Sequence, residues 1–551
     1  MQPPTRSARR TEQYTPRPAL RLPHLSSSGT PAVQPRREGL RTRLPRIAIR
    51  ACLVLLVATP VLSAQSPGDS ISGAALLADV AILNDAFETL HPGLYRYSTA
   101  DEWNARVRAL QERVAHGRTL AEAYLDLAEF TAAIRCGHTY PNFFNQTDSV
   151  AAAVLQGDRF PFLFRWMDGR MVVTRDLGSG LPRGTRVMAI NGTPSPEVLR
   201  RLLPFSRADG SNDAKRVANL EVRGDSRYEA FDIYYPLAFA PPAGAWALEV
   251  IRPGARAPES VRVRPITFAA RVAATERVRA AIPAEGAAWE FDWIEGGTGY
   301  LRMPTWALFN SRWAWKPWLT DVFRQLESRR ARNLVIDLRG NEGGLSVGDE
   351  ILAHLTPRDL PLAQFRRLVR YRAIPPRLRP YLATWDRSFD DWGASARDPR
   401  DGFYTLTRYD DAPSGTVIRP ASPRFRGRVY LLVDASNSSA TFEFAQAARQ
   451  AGLATLVGQP TGGNQRGING GAFYFLRLPN SRIEIDLPLI GLFPAEARPD
   501  AGLTPDVLVT PTAADVASGA DPELRAALEQ IHRSAASPET RSRTASGLPR
   551  P

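Results

Sequence analysis

From about Glu290 the chain alternates between strand-like apolar runs and amphipathic helical segments, and this alternation constrains its fold most. "GTGYLRMP" reads as a strand, "SRWAWKPWLTDVFRQLESR" as a helix and "NLVIDLR" as a buried strand. "LSVGDEILAHL", "RVYLLVDA" and "SATFEFAQAARQAG" continue the pattern as helix, strand and helix. Parallel strands need long crossovers, which helices supply, so strands alternating with helices predict βαβ units and a largely parallel sheet. The expected fold class is α/β.

The remainder of the chain divides around that core. Between Ser70 and about Gln146, "AALLADVAILNDAFETL", "ADEWNARVRALQERVAHG" and "TLAEAYLDLAEFTAAIR" place apolar residues at i, i+3/i+4 and i+7, the helical period. Thr119 and Glu122 have the spacing of a capping box, and Gly137 is the stop signal expected after the third helix. Residues 150–268 turn to short β-rich runs broken by Gly and Pro, with one helix, "SPEVLRRLL", among them; this pattern predicts a small β module. The Arg/Pro/Asp/Trp-rich stretch 357–427 shows little periodicity, as lids and substrate-facing insertions often do. The expected units are a leader at 1–64, a helical domain at 68–148, the β module at 150–270, a core at 285–515 carrying the 357–427 insertion, and a disordered tail at 533–551.

The 551 residues carry a net charge of +14, which invites a nucleic-acid reading. The excess sits at the ends: eleven Arg against Glu12 and Glu38 give +9 in 1–50, and four Arg against Glu539 give +3 in 533–551. That leaves 14 − 9 − 3 = +2 between them, whereas a nucleic-acid binder carries its basic footprint on the folded domain. No nucleic-acid partner is expected. Arg46 and Arg50 precede twelve apolar residues, Ala51 to Leu62, and small residues follow. Twelve are too few to span a bilayer, which takes about 20, so this is read as a signal peptide, with no stable membrane span after its cleavage. Cys52 and Cys136 are the two cysteines, and cleavage removes Cys52. An exported protein of the bacterial envelope, periplasmic or extracellular, is expected.

Three segments could carry chemistry. In "VDASNSSATFEFAQAARQAG" Ser438 and Ser439 stand where a strand–turn opens a helix. The free N–H groups and helix dipole there favour developing negative charge, but a serine at that place can equally be a helix cap. In "VIDLRGNEGGLS" Gly343 and Gly344 allow close backbone approach and can offer N–H groups to an anion, or can simply make a tight turn. The third is His138 in "IRCGHTY". No two of the six histidines share a metal-ligand spacing, so neither a metal site nor a cofactor is expected. A serine nucleophile needs a base. Lys215 and Lys316, the two lysines, lie in no motif, which leaves His138 as the leading base against a purely structural role.

Taken together, "DLRGNEGG", "DASNSSATFEFA", "VGQPTGG" and "GLTPDVLV" resemble the tail-specific, or C-terminal-processing, serine protease family. The tricorn protease core and the interphotoreceptor retinoid-binding protein repeats belong to it. The resemblance covers roughly residues 75–512 and implies a helical N-terminal region, a PDZ-like module around "PRGTRVMAING" and a crotonase/ClpP-like α/β core. It implies Ser439 as nucleophile and the N–H groups of Gly344 and Ala440 as oxyanion hole, with Gly343 in support. Lysine-based members place their base in the loop after G-x-P-T; here that loop, "PTGGNQRGINGG", has none. "CGHT" matches the element of the histidine-based branch, which makes His138 the base. Gly137 stands where tricorn has serine, and Thr504 where some relatives have glutamate. That leaves the residue orienting His138 unassigned. Glu443, one turn beyond Ser439, is a candidate by geometry, against a solvated-face or salt-bridge role. The function implied is a serine endopeptidase acting on peptides or unfolded protein tails; the alternative is a non-catalytic binder of apolar ligands or peptides on the same scaffold.

Overall fold

The computed structural model describes Ser66 and residues 68–239, 244–276, 288–309, 311–362, 365–408 and 417–536. The leader and signal peptide expected at 1–64, and the tail beyond 536, lie outside the described residues. Among the described residues, no helix is long and apolar enough to cross a membrane.

Three helices open the chain: α1 (Gly73–Leu90), α2 (Ala100–Val114) and α3 (Leu120–Ala132). Thr119 and Glu122 form the expected capping box on α3, and Thr99 with Glu102 forms another on α2. Their apolar stripes meet through Leu83, Phe87, Trp103 and Tyr124, all fully buried, each worth roughly 1.5–3 kcal/mol of transfer free energy. Helix α3 stops at Ala132, five residues before the expected Gly137; Arg135, at φ 60°, takes the left-handed turn instead. The freed segment 133–140 is the loop that carries His138.

The middle region is a six-stranded antiparallel sheet: β1 (Phe162–Met167), β2 (Arg170–Asp176), β3 (Arg186–Ile190), β4 (Trp246–Ile251) and β5 (Glu259–Val263) lie side by side in chain order, and the two-residue strand Thr193–Pro194 pairs with β3 off this path. Sequence pattern predicts one helix here; three connect β3 to β4. They are α4 (Ser195–Leu202), α5 (Asp213–Asn219) and α6 (Ala230–Ala238). Helix α5 is short and polar, so it shows no apolar period, and Pro236 inside α6 disguises the other.

The core follows with β6 (Glu290–Ile294), β7 (Thr298–Arg302), helix α7 (Trp315–Ser328), β8 (Asn333–Asp337), helix α8 (Val347–Leu355) and β9 (Phe365–Val369). Then come β10 (Arg428–Val433), helix α9 (Ser439–Gln450), β11 (Thr455–Gly458), β12 (Asn469–Arg477), β13 (Glu484–Pro494), β14 (Val507–Leu508) and helix α10 (Pro522–Ala536). Helix α10 runs past residue 533, into the stretch expected to be disordered. The core sheet has the order β14-β11-β10-β8-β7-β6, parallel throughout except at the β6 edge. Alternation along β8 and β10 divides its two faces. Leu334, Ile336, Leu431 and Val433 pack against α7, α8 and α9 through Phe323, Ile351 and Phe444. Val335, Tyr430 and Leu432 pack against Ala527 and Ile531 of α10. Burial on both faces is why these strands read as unbroken apolar runs.

The stretch 357–427 is more regular than its pattern predicts. Strand β9, with the short strands Leu382–Ala383, Ala396–Arg400 and Phe403–Leu406, joins β12 and β13 in a second six-stranded antiparallel sheet. That sheet shares one buried cluster with the N-terminal helices and the middle region, through residues such as Tyr474, Leu487, Phe87 and Phe164. Strands this short carry too few positions to display a period.

Candidate active site

Strand β10 delivers the chain into Asp434, and five residues later α9 begins at Ser439. Ser439 has φ 51°, a left-handed backbone that costs a non-glycine residue of order 1–3 kcal/mol and persists only where its surroundings enforce it. A helix cap does not explain it. Ser438 occupies the N-cap position yet makes no side-chain cap; its hydroxyl donates to the Glu342 carbonyl at 3.3 Å.

The enforcement comes from asparagines. Asn437 Nδ2 donates to the carbonyls of Leu338 (2.6 Å) and Asn341 (3.1 Å), while its Oδ1 accepts the Asp434 N–H at 2.8 Å. Asn341 Oδ1 accepts from Gly343 N–H (2.9 Å) and from the Thr441 hydroxyl (3.0 Å). The serine turn and the Gly-Gly turn are thereby locked together. Gly343, at φ 101°, leaves room for this: a Cβ there would stand 2.9 Å from the Ser438 carbonyl oxygen and 3.0 Å from both Ala440 N and Ser439 Cβ. A Cβ on Gly344 would meet the Trp306 carbonyl oxygen at 2.2 Å. Ala440 N–H lies in the open first turn of α9. Gly344 N–H has no acceptor among the described residues.

His138 comes from the N-terminal region, and Glu342 and Lys215 lie close enough to act on its charge. Its turn is gripped by the middle region, where Asp209 Oδ1 accepts Gly137 N–H at 2.9 Å and Arg207 Nη1 donates to the Gly137 carbonyl at 2.7 Å. Gly137 is needed there, since a Cβ would sit 2.7 Å from Asp209 Oδ2. From the second sheet, Asp486 accepts Asn142 Nδ2 and Asn145 Nδ2 at 2.6 and 2.9 Å, and its N–H donates to the Tyr140 carbonyl. The imidazole lies near Phe473, with 5.9 Å between ring centroids, and its buried Nδ1 has no hydrogen-bond partner. Burial lowers its pKa below the usual histidine value; Arg207 and Lys215 add to this, against the opposing pull of Asp209 and Glu342. A neutral imidazole can accept a proton near pH 7.

Glu443 lies elsewhere: it is exposed on α9, and its charged neighbours are Asp349 and Arg367. Asp209 is the carboxylate that stands behind the His138 turn. Sequence reading also passes over Lys215. Its Nζ donates to Glu342 Oε1 at 2.6 Å and to the Ser436 carbonyl at 3.0 Å. Crowding by protein partly desolvates the Glu342 carboxyl although its side chain stays half-exposed, but Lys215, Arg207 and Arg223 outweigh this and hold the pKa down to about 2. Arg223 also pairs with Asp434 at 3.1 Å. The one available signal for Lys215 was rarity, as one of two lysines in the chain. Beside these groups opens a cavity of about 290 Å³, lined by Tyr140, Phe143, Tyr228 and Tyr234 on one hand and by charged Arg207, Arg223, Glu229 and Glu342 on the other, and reaching Gly343 and Ser436.

An α/β core with a strained serine at a strand–helix junction, packed against a Gly-Gly turn, has parts of a serine hydrolase. Residues 297–507, the parallel core, match the family model of peptidase family S41, a family of serine proteases. Among solved structures, mature CPAF complexed with lactacystin is similar at 15% identity and a TM-score of 0.57, over 84% of this chain and 98% of that one. Mature CPAF alone is similar at 15% identity and a TM-score of 0.56, over 83% and 96% of the two chains. At such identity the likeness is one of fold. No curated protein matches the chain.

Proposed function

We propose that this protein is an exported S41 endopeptidase that cleaves peptides or unfolded protein tails with Ser439 as nucleophile and His138 as general base. The observation that carries this reading is the left-handed backbone of Ser439, held by the Asn341–Asn437 network and serving no helix cap. Ser439 Oγ attacks the peptide carbonyl carbon while His138 takes the hydroxyl proton. The negative charge that develops on the carbonyl oxygen is stabilised by the N–H groups of Ala440 and Gly344. On collapse of the tetrahedral intermediate, His138 returns the proton to the leaving amine. A water molecule, deprotonated by His138, then releases the acyl group.

The cavity beside Gly343, lined by aromatic rings and charged groups, gives a side chain of the peptide a place close to the scissile bond. The antiparallel middle sheet is the PDZ-like module of this reading, offering an extended peptide an edge to join. Export rests on the Arg-flanked apolar run before Ser63.

Fluorophosphonate labelling of the mature protein tests the proposal. The expected result is labelling that vanishes in Ser439→Ala and drops sharply in His138→Ala. A folded wild-type protein that takes no label overturns it in favour of a non-catalytic binder.

A further inference from the structure

We infer that Lys215 is a positioning residue that clamps the two halves of the proposed oxyanion hole together; this rests on the Ser439 reading above. Its side chain is 4% exposed, an unusual place for lysine, whose charge normally stays in water. Burial is tolerable because the ammonium has two acceptors, and each belongs to a different half of the site. Glu342 immediately precedes Gly343 and Gly344, the Gly-Gly turn; Ser436 lies three residues before Ser439 on the serine turn. The same two turns touch directly where the Ser438 hydroxyl donates to the Glu342 carbonyl. Lys215 therefore spans the joint between Gly344 N–H and Ala440 N–H.

The lysine is itself anchored from outside the core. It sits on α5 of the middle region, where Asn212 caps the helix by accepting Lys215 N–H at 3.2 Å. Asn212 Nδ2 also donates to the carbonyls of Thr461 and Gly463, at 2.8 Å each. Between those residues, a Cβ on Gly462 would stand 2.8 Å from Lys215 Cδ. One end of a seven-residue helix thus docks on three core loops at once: the Gly-Gly turn, the serine turn and 461–463. The middle region becomes part of the catalytic geometry without supplying a group that touches substrate.

A clamp of this kind acts on turnover. Misplacing a transition-state donor by about 1 Å costs roughly 10²-fold in rate, while Lys215 itself does not line the cavity proposed to take the peptide side chain. Lys215→Met is expected to lower kcat on a chromogenic peptide about 10²-fold with KM within about threefold, and to slow fluorophosphonate labelling in parallel. Glu342→Gln, at a half-exposed side chain whose replacement leaves the fold intact, is expected to cost about tenfold in kcat. The double variant is expected to be no slower than Lys215→Met, because both substitutions break one joint.

Wild-type labelling combined with unchanged kcat in Glu342→Gln and Lys215→Met overturns the clamp and leaves the serine reading standing. Additive losses in the double variant also overturn it. So does a Lys215→Met protein that takes no label while His138→Ala still does, since Lys215 would then be the base. If wild-type protein takes no label at all, the serine reading itself fails.

Discussion

The parallel core and the middle region contribute to one site in opposite ways. The core supplies the groups proposed to touch substrate, Ser439, Gly344 and Ala440, from turns at strand ends, where open parallel sheets place their sites. The middle region supplies Lys215, Arg207, Asp209 and Arg223, which hold those turns and the His138 loop by ion pairs and hydrogen bonds. Chemistry written into a strand–turn–helix is local. Support assembled from another unit is set by docking, and it leaves almost no local trace.

The sharpest test on the core side is Ser439→Ala, expected to lower turnover by at least about 10⁴-fold, read as peptide hydrolysis by the purified mature protein. Retained hydrolysis would move the chemistry out of the core and dissolve the contrast. Gly343→Ala comes next. Its Cβ would press on Ser438 O and Ala440 N, and φ 101° is unfavourable for alanine, so the two turns must separate. A loss of about 10²–10³-fold in kcat is expected, the size of a lost oxyanion donor. A rate within about threefold of wild type would show that the turns tolerate displacement, and would weaken the clamp with it.

How much of this was legible follows the same division. Strands β8 and β10 declare themselves because both faces are buried, and α7 and α9 because each buries a single stripe. The Thr119–Glu122 capping box is a four-residue signal, and the Gly-Gly and serine turns lie in contiguous motifs. Asp209 and Lys215 sit in "SRADGSNDAKRVAN", a stretch without apolar period, and they find Gly137, Glu342 and Ser436 at sequence separations of 72, 127 and 221. No propensity or spacing rule encodes such distances. The strands within 357–427 escaped for a related reason: each is ordered by its partner, β12, β13 or a neighbouring short strand, more than by its own pattern.

Asp209→Asn sharpens the comparison on the middle-region side. The substitution keeps an oxygen for Gly137 N–H and removes the charge that opposes the lowering of the His138 pKa. The acid limb of kcat/KM, already below the ordinary histidine range, is expected to move to still lower pH. Plateau kcat is expected to change less than about tenfold, because the buried Nδ1 loses no hydrogen bond it had. A plateau loss near 10⁴-fold would instead make Asp209 the orienting acid of a triad.

The smallest expected effect falls on stability and belongs to neither unit. Asp486, on β13, is buried, and burial pushes its carboxyl up to about 7; Asn142 and Asn145, which donate to it, pull the other way but lose to desolvation. An aspartate in the unfolded chain ionises near pH 4. Between about 4 and 7 the unfolded state therefore sheds a proton that the folded state keeps, and folding stability declines as pH rises through this window. Thermal unfolding from pH 4 to 8 is expected to show Tm falling in wild type and a flatter slope in Asp486→Asn, measured against the same buffers. The His138 loop hangs on this side chain, so the residue that anchors the proposed base to the second sheet does so at a cost that grows toward the pH at which the base is to work. An unchanged slope in Asp486→Asn would mean that the two asparagines stabilise the ionised carboxylate after all, and that the loop is held by charge-assisted hydrogen bonds at neutral pH.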